Sequence, residues 1–437
     1  MAEYKMRLTP EQQSVLDGKE GEVKAKIMKT LVMFGEMFGA EKLVPVTHKQ
    51  GHLVTSFGIG LLKPLFSTMD KLIEGGMKAE GGFSVDPRPL DYENVKCNAL
   101  EKLVFNKILY SKQEMYEEQL KKVGLTGKNK FTCACYLDEV GNQPKKGDVL
   151  SWAESSAVVY ANSVLGARCN RNSGMLDLFG SIVGWVPYFG LVTDEGRKAT
   201  WKVYVKTTKK PEAQILGSAV GMKVMEDVPY VYGLDKFLGS ELTDDVKAYL
   251  KDFGAATASN GAVGLYHIDN LTPEAKEQGE SLLAENCREY VIDDAELERV
   301  YKSYPVMWKK KDKKANLCFI GCPHLTYSQL CDWTDKIAAG LKESGRKKVA
   351  VRTVLTTAPD VAEKFKKTDR YKKLQETGAT LSSICPLMYT NNPLTKMHRI
   401  MTSSNKLRTY SAARYYKDEE ILAVITGKAV ITGKEGK

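Results

Sequence analysis

Two spacings of hydrophobic residues alternate along the last third of the chain. Short apolar runs rich in β-branched residues are typical of buried strands, and apolar residues at steps of three and four are typical of amphipathic helices. On this basis we predict strands over residues 317–320, 348–355, 380–384 and 407–412, and helices over 327–341, 361–377 and 418–425. Because strands and helices alternate, the sequence predicts an α/β fold built from layers.

Another helical pattern lies at the centre of the stretch 131–200. Its apolar members recur at steps of three and four: Ala157, Val158, Ala161, Val164 and Leu165. Gly166 follows as a natural C-terminal stop. Just before this helix, residues 131–137 alternate in a way that predicts a strand, with Cys133 and Cys135 on the same face.

The polar residues of this stretch are of the kinds that bind small anions. Ser155 and Asn162 lie seven residues apart, so they share one side of the predicted helix. The residues that follow the helix directly include Arg168, Asn170 and Arg171. Guanidinium groups bind carboxylates and phosphates through paired hydrogen bonds, and neutral donors orient the bound anion. A solvated helix face beside an ordinary arginine-bearing loop is the other interpretation, and residue types alone leave both open.

Composition is typical of a globular protein with several domains. The 437 residues suggest two to four domains. We divide them into an N-terminal α/β segment (1–130), a central region that carries the polar block (131–310) and a C-terminal α/β domain (311–437). Residues 1–10 lack the apolar core of a signal peptide, and no apolar run approaches the length of a membrane span. We therefore expect a cytoplasmic protein without a membrane partner.

The net charge of +10 is spread over short lysine clusters such as 308–314 and 364–367. No nucleic-acid recognition module lies beside them, so a solvated lysine-rich surface is the better interpretation. We expect no nucleic-acid partner. A positive mean potential favours a small anionic substrate.

Nine cysteines without a secretory signal indicate free thiols, metal ligands or catalytic groups, and no CxxC pair occurs among them. Cys322 and Cys385 each follow a predicted strand and precede a proline, which places both at the carboxyl edge of one sheet. With Cys133 as a third ligand, they suit an iron–sulfur cluster held at a domain junction. The alternative is that each is a small buried hydrophobic residue. We prefer that alternative for three others: Cys97, Cys287 and Cys331.

Several motifs, taken in order, resemble those of the aconitase X family. They are Thr132-Cys133, the segments 153–158 and 161–168 with Asn170-Arg171, Gly321-Cys322-Pro323-His324, and the C-terminal segment 402–406 with Tyr410 four residues on. The resemblance implies a hydro-lyase of the aconitase superfamily with three α/β/α domains around a cleft. It also implies that the chain is a large subunit, and that a small swivel-domain subunit is its partner.

The same resemblance implies roles for particular residues. An iron–sulfur cluster of the 2Fe-2S or 4Fe-4S type would be held by Cys133, Cys322 and Cys385. The expected catalytic residues are His52, Ser404 and Lys406, and a further catalytic serine is expected from the partner. The substrate-binding residues would be Ser155, Ser156, Asn162, Arg168, Asn170 and Arg171. The substrate would be a small hydroxy acid such as cis-3-hydroxy-L-proline or mevalonate 5-phosphate.

The chain departs from the family pattern at three positions. Cys169 stands where many relatives have threonine, Ser403 replaces an asparagine, and Cys135 stands where threonine or proline is expected. Cys135 or Cys169 therefore competes with Cys133 as a ligand. The alternative function is a cluster-free protein of the same fold that binds an anionic metabolite or nucleic acid.

Overall fold

The first part of the chain is mainly helical in the computed structural model. The structure describes residues 4–428 apart from 55–57, 61, 128, 309–313, 391–393 and 395–397. The helices of this part are α1 (Pro10–Leu16), α2 (Glu22–Met37), α3 (Lys63–Glu74), α4 (Ala99–Val104), α5 (Gln113–Val123), α6 (Ser155–Ser163) and α7 (Gly174–Val183). Its strands are β1 (Leu43–Pro45), β2 (Gly51–Leu53), β3 (Phe83–Val85) and β4 (Trp185–Pro187). β1 pairs with β4 in antiparallel orientation, and β2 pairs with β3 in parallel orientation.

Short helical turns complete the first part, at Phe105–Leu109 (π), Gly190–Val192 (3₁₀) and Glu195–Arg197 (3₁₀). The predicted central helix is confirmed as α6, which Glu154 caps at its N-terminus. Gly166 adopts a φ of +71°, which a glycine tolerates and most other residues avoid. The backbone therefore turns sharply after α6, as the predicted stop requires.

The middle of the chain folds around a parallel sheet. Its strands are β5 (Ala199–Val205), β6 (Pro229–Tyr232), β7 (His267–Ile268) and β8 (Leu283–Ile292), in the order β7-β6-β5-β8. Its helices are α8 (Ala213–Val224), α9 (Asp235–Leu238), α10 (Asp244–Asn260), α11 (Pro273–Gln278) and α12 (Asp294–Ser303), with a 3₁₀ turn at Gly279–Leu282. α8 and α10 pack closely because Gly217 has no side chain. A Cβ there would lie 2.3 Å from the Phe253 carbonyl oxygen.

The last third folds around a second parallel sheet. Its strands are β9 (Leu317–Leu325), β10 (Arg352–Thr357), β11 (Thr380–Ser382), β12 (Ile400–Thr402) and β13 (Arg414–Tyr415), in the order β11-β10-β9-β12-β13. Its helices are α13 (Tyr327–Ser344), α14 (Pro359–Lys366), α15 (Asp369–Thr377), α16 (Pro386–Thr390), α17 (Asn405–Tyr410) and α18 (Asp418–Thr426). This alternation confirms the predicted α/β layered fold. None of the described helices is long and apolar enough to cross a bilayer.

Two predicted strands are wrong. Residues 407–412 belong mostly to α17, because the Ser404 hydroxyl accepts a hydrogen bond from the Leu407 amide at 3.1 Å and starts a helix there. Residues 131–137 form only one bridge, from Phe131 to Val85, and then turn. The Thr132 hydroxyl accepts from the Ala134 amide at 3.1 Å, a local hydrogen bond that competes with strand pairing.

The carboxyl edge of the second sheet carries two of the predicted cysteine ligands. β9 continues past residue 320, where we expected it to end, and Cys322 lies beside an irregularity in its pairing with β10. Gly321 makes this irregularity possible, because its φ is +106° and a Cβ would lie 2.4 Å from the Thr356 carbonyl oxygen. Cys385 lies between β11 and α16, as predicted.

Candidate active site

A cavity of about 370 Å³ opens between the first part of the chain and the second sheet. The cysteines predicted as ligands, Cys133, Cys322 and Cys385, all line it. Its polar wall also includes Asp86, Glu154 and Lys406. The structure thus brings together side chains that are more than 300 residues apart in sequence, counted from Asp86 to Lys406.

The three thiols reach the cavity from three different elements. Cys133 lies in the turn after Phe131, where its Sγ accepts a hydrogen bond from the His324 amide at 3.4 Å. Cys322 lies in β9 and is 8% exposed. The amide of Cys385 donates to the Arg88 carbonyl oxygen at 2.8 Å, which fixes its position against the first part of the chain.

Burial raises the pKa of all three thiols, and Lys406 opposes this rise. A thiolate is the form that binds metal, so a metal group has to compensate the charge that burial disfavours. Among the described residues, no group of three His, Cys, Asp or Glu side chains could hold a single metal ion. An iron–sulfur cluster takes its thiolates at different iron atoms. Three thiols on the wall of one cavity are the kind of protein ligand that an iron–sulfur cluster takes.

Glu154 and Lys406 form an ion pair on the polar wall of the cavity. Glu154 Oε1 binds Lys406, and Oε2 accepts from the Ser156 hydroxyl at 2.6 Å and from the Ala157 amide at 2.7 Å. Burial alone would raise the pKa of Glu154, but Lys406 and Ser156 hold it at about 2. Burial alone would lower the pKa of Lys406, but Glu154 outweighs it and raises that pKa above its usual value. Both groups are therefore charged at neutral pH.

Asp86 is a second buried carboxyl group on this wall. It directly follows β3 and is 8% exposed, and its Oδ1 has no hydrogen-bond partner among the described residues. Burial, with a smaller contribution from Glu154, raises its pKa well above the usual range. Burial thus disfavours the charged form of this carboxyl group.

The sequence interpretation included Glu154 in the Glu-Ser-Ser block of the central region but assigned no role to it, and it did not name Asp86 as a site residue. The pairing of Glu154 with Lys406 has no local signal, because Lys406 lies 252 residues further on. Asp86 carried a signal that could have been used, since it directly precedes a proline, as Cys322 and Cys385 do.

Two of the predicted catalytic residues lie behind the cavity wall. His52 is fully buried, its Nδ1 lies 2.9 Å from the Ser84 hydroxyl, and burial lowers its pKa to about 4. The hydroxyl of Ser404 donates to the Cys322 carbonyl oxygen and accepts from the Leu407 amide. His52 is therefore neutral at physiological pH, and Ser404 positions the backbone next to a predicted ligand.

The predicted substrate-binding residues of α6 separate into two groups. Ser155 lines the cavity, and Ser156 binds Glu154. Asn162 is 1% exposed, and its amide nitrogen donates to the carbonyl oxygens of Cys169 and Gly264, both at 2.8 Å. The polar atoms of Asn162 are thus engaged with backbone groups away from the cavity.

The arginine-bearing segment also divides into bound and free side chains. Arg168 pairs with Asp194 and donates to the Val192 carbonyl oxygen at 3.0 Å. Asn170 donates to the Phe189 carbonyl oxygen at 3.0 Å and accepts from the Leu191 amide at 2.8 Å. Both side chains hold the loop that follows β4.

Arg171 has no hydrogen-bond or ion-pair partner among the described residues. Burial lowers the pKa of its guanidinium group, while Tyr410 and Glu154 raise it. Tyr410 and Glu154 both line the cavity. Arg171 itself does not line the cavity, and it is the arginine of the predicted anion-binding block whose guanidinium group has no described partner.

The two cysteines considered as replacements for Cys133 lie elsewhere. Cys135 is completely buried in the core, and Cys169 donates to the Trp152 carbonyl oxygen at 3.4 Å. Neither lines the cavity.

Three family models match the chain in succession. They are described as the first, second and third domains of Aconitase X, and they match residues 5–195, 199–302 and 315–422. The phosphomevalonate dehydratase large subunit of Thermococcus kodakarensis is 33% identical over 74% of this chain and 75% of its own length. That of Methanosarcina mazei is 30% identical over 93% of this chain and 92% of its own length. The cis-3-hydroxy-L-proline dehydratase of Hypocrea jecorina is 27% identical over 74% of this chain and 52% of its own length.

A solved structure shows the same fold. The crystal structure of Thermococcus kodakaraensis aconitase X in its holo form superposes with a TM-score of 0.79 at 27% sequence identity. The match covers 96% of this chain and 100% of that one.

Proposed function

The chain belongs to the aconitase X family, as a large subunit and a carbon–oxygen hydro-lyase, and from this premise we propose that it dehydrates a small anionic hydroxy acid with a small-subunit partner. The relatives named phosphomevalonate dehydratase align over most of their length, and those named cis-3-hydroxy-L-proline dehydratase align over 52% and 66%. Mevalonate 5-phosphate is therefore the first substrate to test, and cis-3-hydroxy-L-proline is the second. The cytoplasmic location expected from the sequence stays a prediction.

The observation that carries the proposal is the cavity itself, which combines three thiols, one buried and two half-buried, with a charged Glu154–Lys406 pair. Cys133, Cys322 and Cys385 would hold an iron–sulfur cluster of the 2Fe-2S or 4Fe-4S type. When bound, such a cluster supplies a Lewis-acidic iron that weakens the bond between carbon and the departing hydroxyl group. The remaining tasks are to bind and orient the substrate, to exclude water and to manage the proton.

Lys406 would bind and orient the substrate. Its Nζ keeps its proton, because Glu154 stabilises the ammonium group inside the cavity. An ammonium group is a good contact for a substrate carboxylate and a poor base. Lys406 is therefore assigned to anion contact, and Glu154 keeps it charged and fixed.

Ser155 and Arg171 would hold the other end of the substrate. Ser155 offers a hydroxyl group on the cavity wall. Arg171 offers five N–H donors in a planar fork, which suits a phosphate or a carboxylate. Leu387 and Met388 on the same wall are apolar, and they would limit the access of bulk water to the reacting carbon.

Removal of the carbon-bound proton is assigned to the small subunit. On this chain, Glu154 has both oxygens occupied, His52 lies behind the wall and Ser404 is engaged with backbone groups. Two of the matched relatives are named large subunits, and this supports a partner. If the base belongs to the partner, the large subunit would catalyse the reaction only after the two subunits assemble.

The test is an anaerobic assay with and without a co-expressed small subunit. Each candidate substrate is incubated with the enzyme, and loss of one water is followed by NMR and mass spectrometry. We expect turnover of mevalonate 5-phosphate only with both subunits present. A Cys133→Ser variant is expected to be inactive, and a Cys97→Ser variant, changed at a thiol outside the cavity, is the matched control. If the assembled, iron-loaded enzyme dehydrates neither substrate, the proposed substrate class is wrong.

A further inference from the structure

We propose that Asp86 is a fourth protein ligand of the cluster, an oxygen donor at an iron position that the three cysteines leave open. This proposal rests on the proposed function, because it requires that a cluster is bound by the three cavity thiols. It assigns a ligand role to a residue outside the set of three cysteines.

The first support is the place of Asp86 in the fold. Asp86 directly follows β3 and precedes Pro87, just as Cys322 and Cys385 precede prolines at the edge of the second sheet. All three of these donor–proline steps line the same cavity. A proline after the donor fixes the local backbone, so each donor is presented from a rigid position.

The second support comes from comparing the charged and polar groups on the cavity wall. Glu154 has both carboxylate oxygens occupied, one by Lys406 and the other by Ser156 and a backbone amide. Ser155 and Tyr410 are neutral hydroxyl groups, and Lys406 is a cation. Asp86 is therefore the one anionic group on the described wall with a buried oxygen, Oδ1, that lacks a partner.

The third support is energetic and chemical. A buried carboxylate without a cation is strongly disfavoured, and a buried polar atom without a partner costs free energy in almost any surroundings. An iron ion would compensate both. Carboxylate oxygen is an established type of iron ligand, harder than thiolate sulfur and more easily exchanged. An aspartate at one iron would thus make that iron different from any iron whose protein ligands are all thiolates.

The test compares iron retention in two aspartate variants. Asp86→Asn removes the charge of the proposed ligand with little change of volume. The matched control is Asp177→Asn, because Asp177 is also buried, at 1% exposure, and also has an unpartnered oxygen, but lies outside the cavity. Each protein is reconstituted anaerobically and mildly oxidised, and released iron is followed with a chelator. Mössbauer and EPR spectra of the same samples report the iron environments.

We expect Asp86→Asn to lose one class of iron at least about 10-fold faster than the wild type, since removing even an outer partner of a metal ligand typically costs about 10- to 100-fold in metal affinity. Asp177→Asn is expected to match the wild type. Asp86→Cys, a second variant that supplies sulfur instead, is expected to slow the loss below the wild-type rate and to remove the distinct iron signal from the Mössbauer spectrum.

The outcomes separate this inference from the proposed function. If the wild-type protein folds but takes up no iron and sulfide, the cluster assignment fails and the ligand role fails with it. If the wild-type protein holds a cluster, and both Asp86 variants match it in iron loss and in spectra, Asp86 is not a ligand although the proposed function stands. If Asp86→Asn does not fold, the wild-type and Asp86→Cys spectra decide: an unchanged spectrum in Asp86→Cys refutes the ligand role.

Discussion

Replacing Lys406 by methionine removes the cation that holds Glu154 in its charged form. Glu154 is 2% exposed and cannot reach bulk water, so the carboxylate would be left without a partner inside the protein. The substitution keeps most of the apolar stem of the lysine side chain. We expect the cluster-free variant to fold and to be considerably less stable than the wild type at neutral pH.

The pKa of Glu154 gives the size of the expected loss of stability. It falls from an ordinary value of 4.5 to about 2 in the folded protein. At about 1.4 kcal/mol for each pKa unit, this corresponds to roughly 3 kcal/mol of stability. Because the folded pKa is the lower one, the contribution is fully present above the unfolded value of 4.5 and is lost as the pH falls towards about 2. Breaking a buried ion pair from one side typically costs about 3 to 5 kcal/mol, which agrees with this figure.

Urea denaturation of the cluster-free proteins, followed by tryptophan fluorescence, measures the effect. Lys406→Met should lower the free energy of unfolding by about 3 kcal/mol at pH 7. In this variant burial raises the pKa of Glu154, so stability should decrease as the pH rises above 4.5. In the double variant Lys406→Met/Glu154→Gln, much of the lost free energy of unfolding should be restored, and its dependence on pH above 4.5 should disappear.

The control is Lys336→Met, because the pair of Lys336 with Asp332 is half exposed. We expect a change within about 0.5 kcal/mol for that variant. If Lys406→Met is no more destabilising than Lys336→Met, the Glu154–Lys406 pair is not the buried charge pair described above.

Two further predictions concern arginines. Arg171→Gln should raise the KM of the assembled enzyme at least about tenfold with little change in Tm, since its guanidinium group binds no described protein group. The control is Arg168→Gln, which should affect KM less, because Arg168 is paired with Asp194. Equal changes of KM in the two variants would contradict the assignment of Arg171 to substrate binding. Arg197→Met should lower the free energy of unfolding by about 3 to 5 kcal/mol, since Arg197 is 1% exposed and binds Glu274 through two hydrogen bonds of 2.8 Å; a change below about 1 kcal/mol in urea denaturation would refute this.

Periodicity in the sequence predicted three of the five strands of the second sheet, β9, β10 and β11, and missed the short strands β12 and β13. It placed a single helix over 361–377, where the structure has α14 and α15. It failed at residues 407–412, where a run of mixed residues resembles a strand and the capping hydroxyl of Ser404 decides for a helix. It also failed at 131–137, where Thr132 turns the chain by a local hydrogen bond. Both errors arise because one short-range hydrogen bond outweighs a weak hydrophobic pattern.

The candidate site could be predicted only in part, because some of its contacts join residues that are far apart in the sequence. The Cys-Pro steps at strand ends indicated Cys322 and Cys385, and family resemblance supported Cys133. The ion pair of Glu154 with Lys406 had no local signal. Asn162 lies on the predicted polar face of its helix, but its amide nitrogen donates to backbone carbonyl oxygens, so its position in the sequence did not indicate a binding role correctly. Residue type indicates which chemistry is available, and only the tertiary structure shows which polar atoms are free.

Iron and sulfide analysis of anaerobically purified protein tests the central claim most directly. Wild-type protein, Cys322→Ser and Cys318→Ser are compared, since Cys318 lies on the same strand, fully buried and outside the cavity. We predict iron and acid-labile sulfide in the wild type and in Cys318→Ser, with visible absorbance, and loss of all three in Cys322→Ser. A wild-type protein without iron and sulfide after reconstitution, or a Cys322→Ser variant that retains both, would contradict the account.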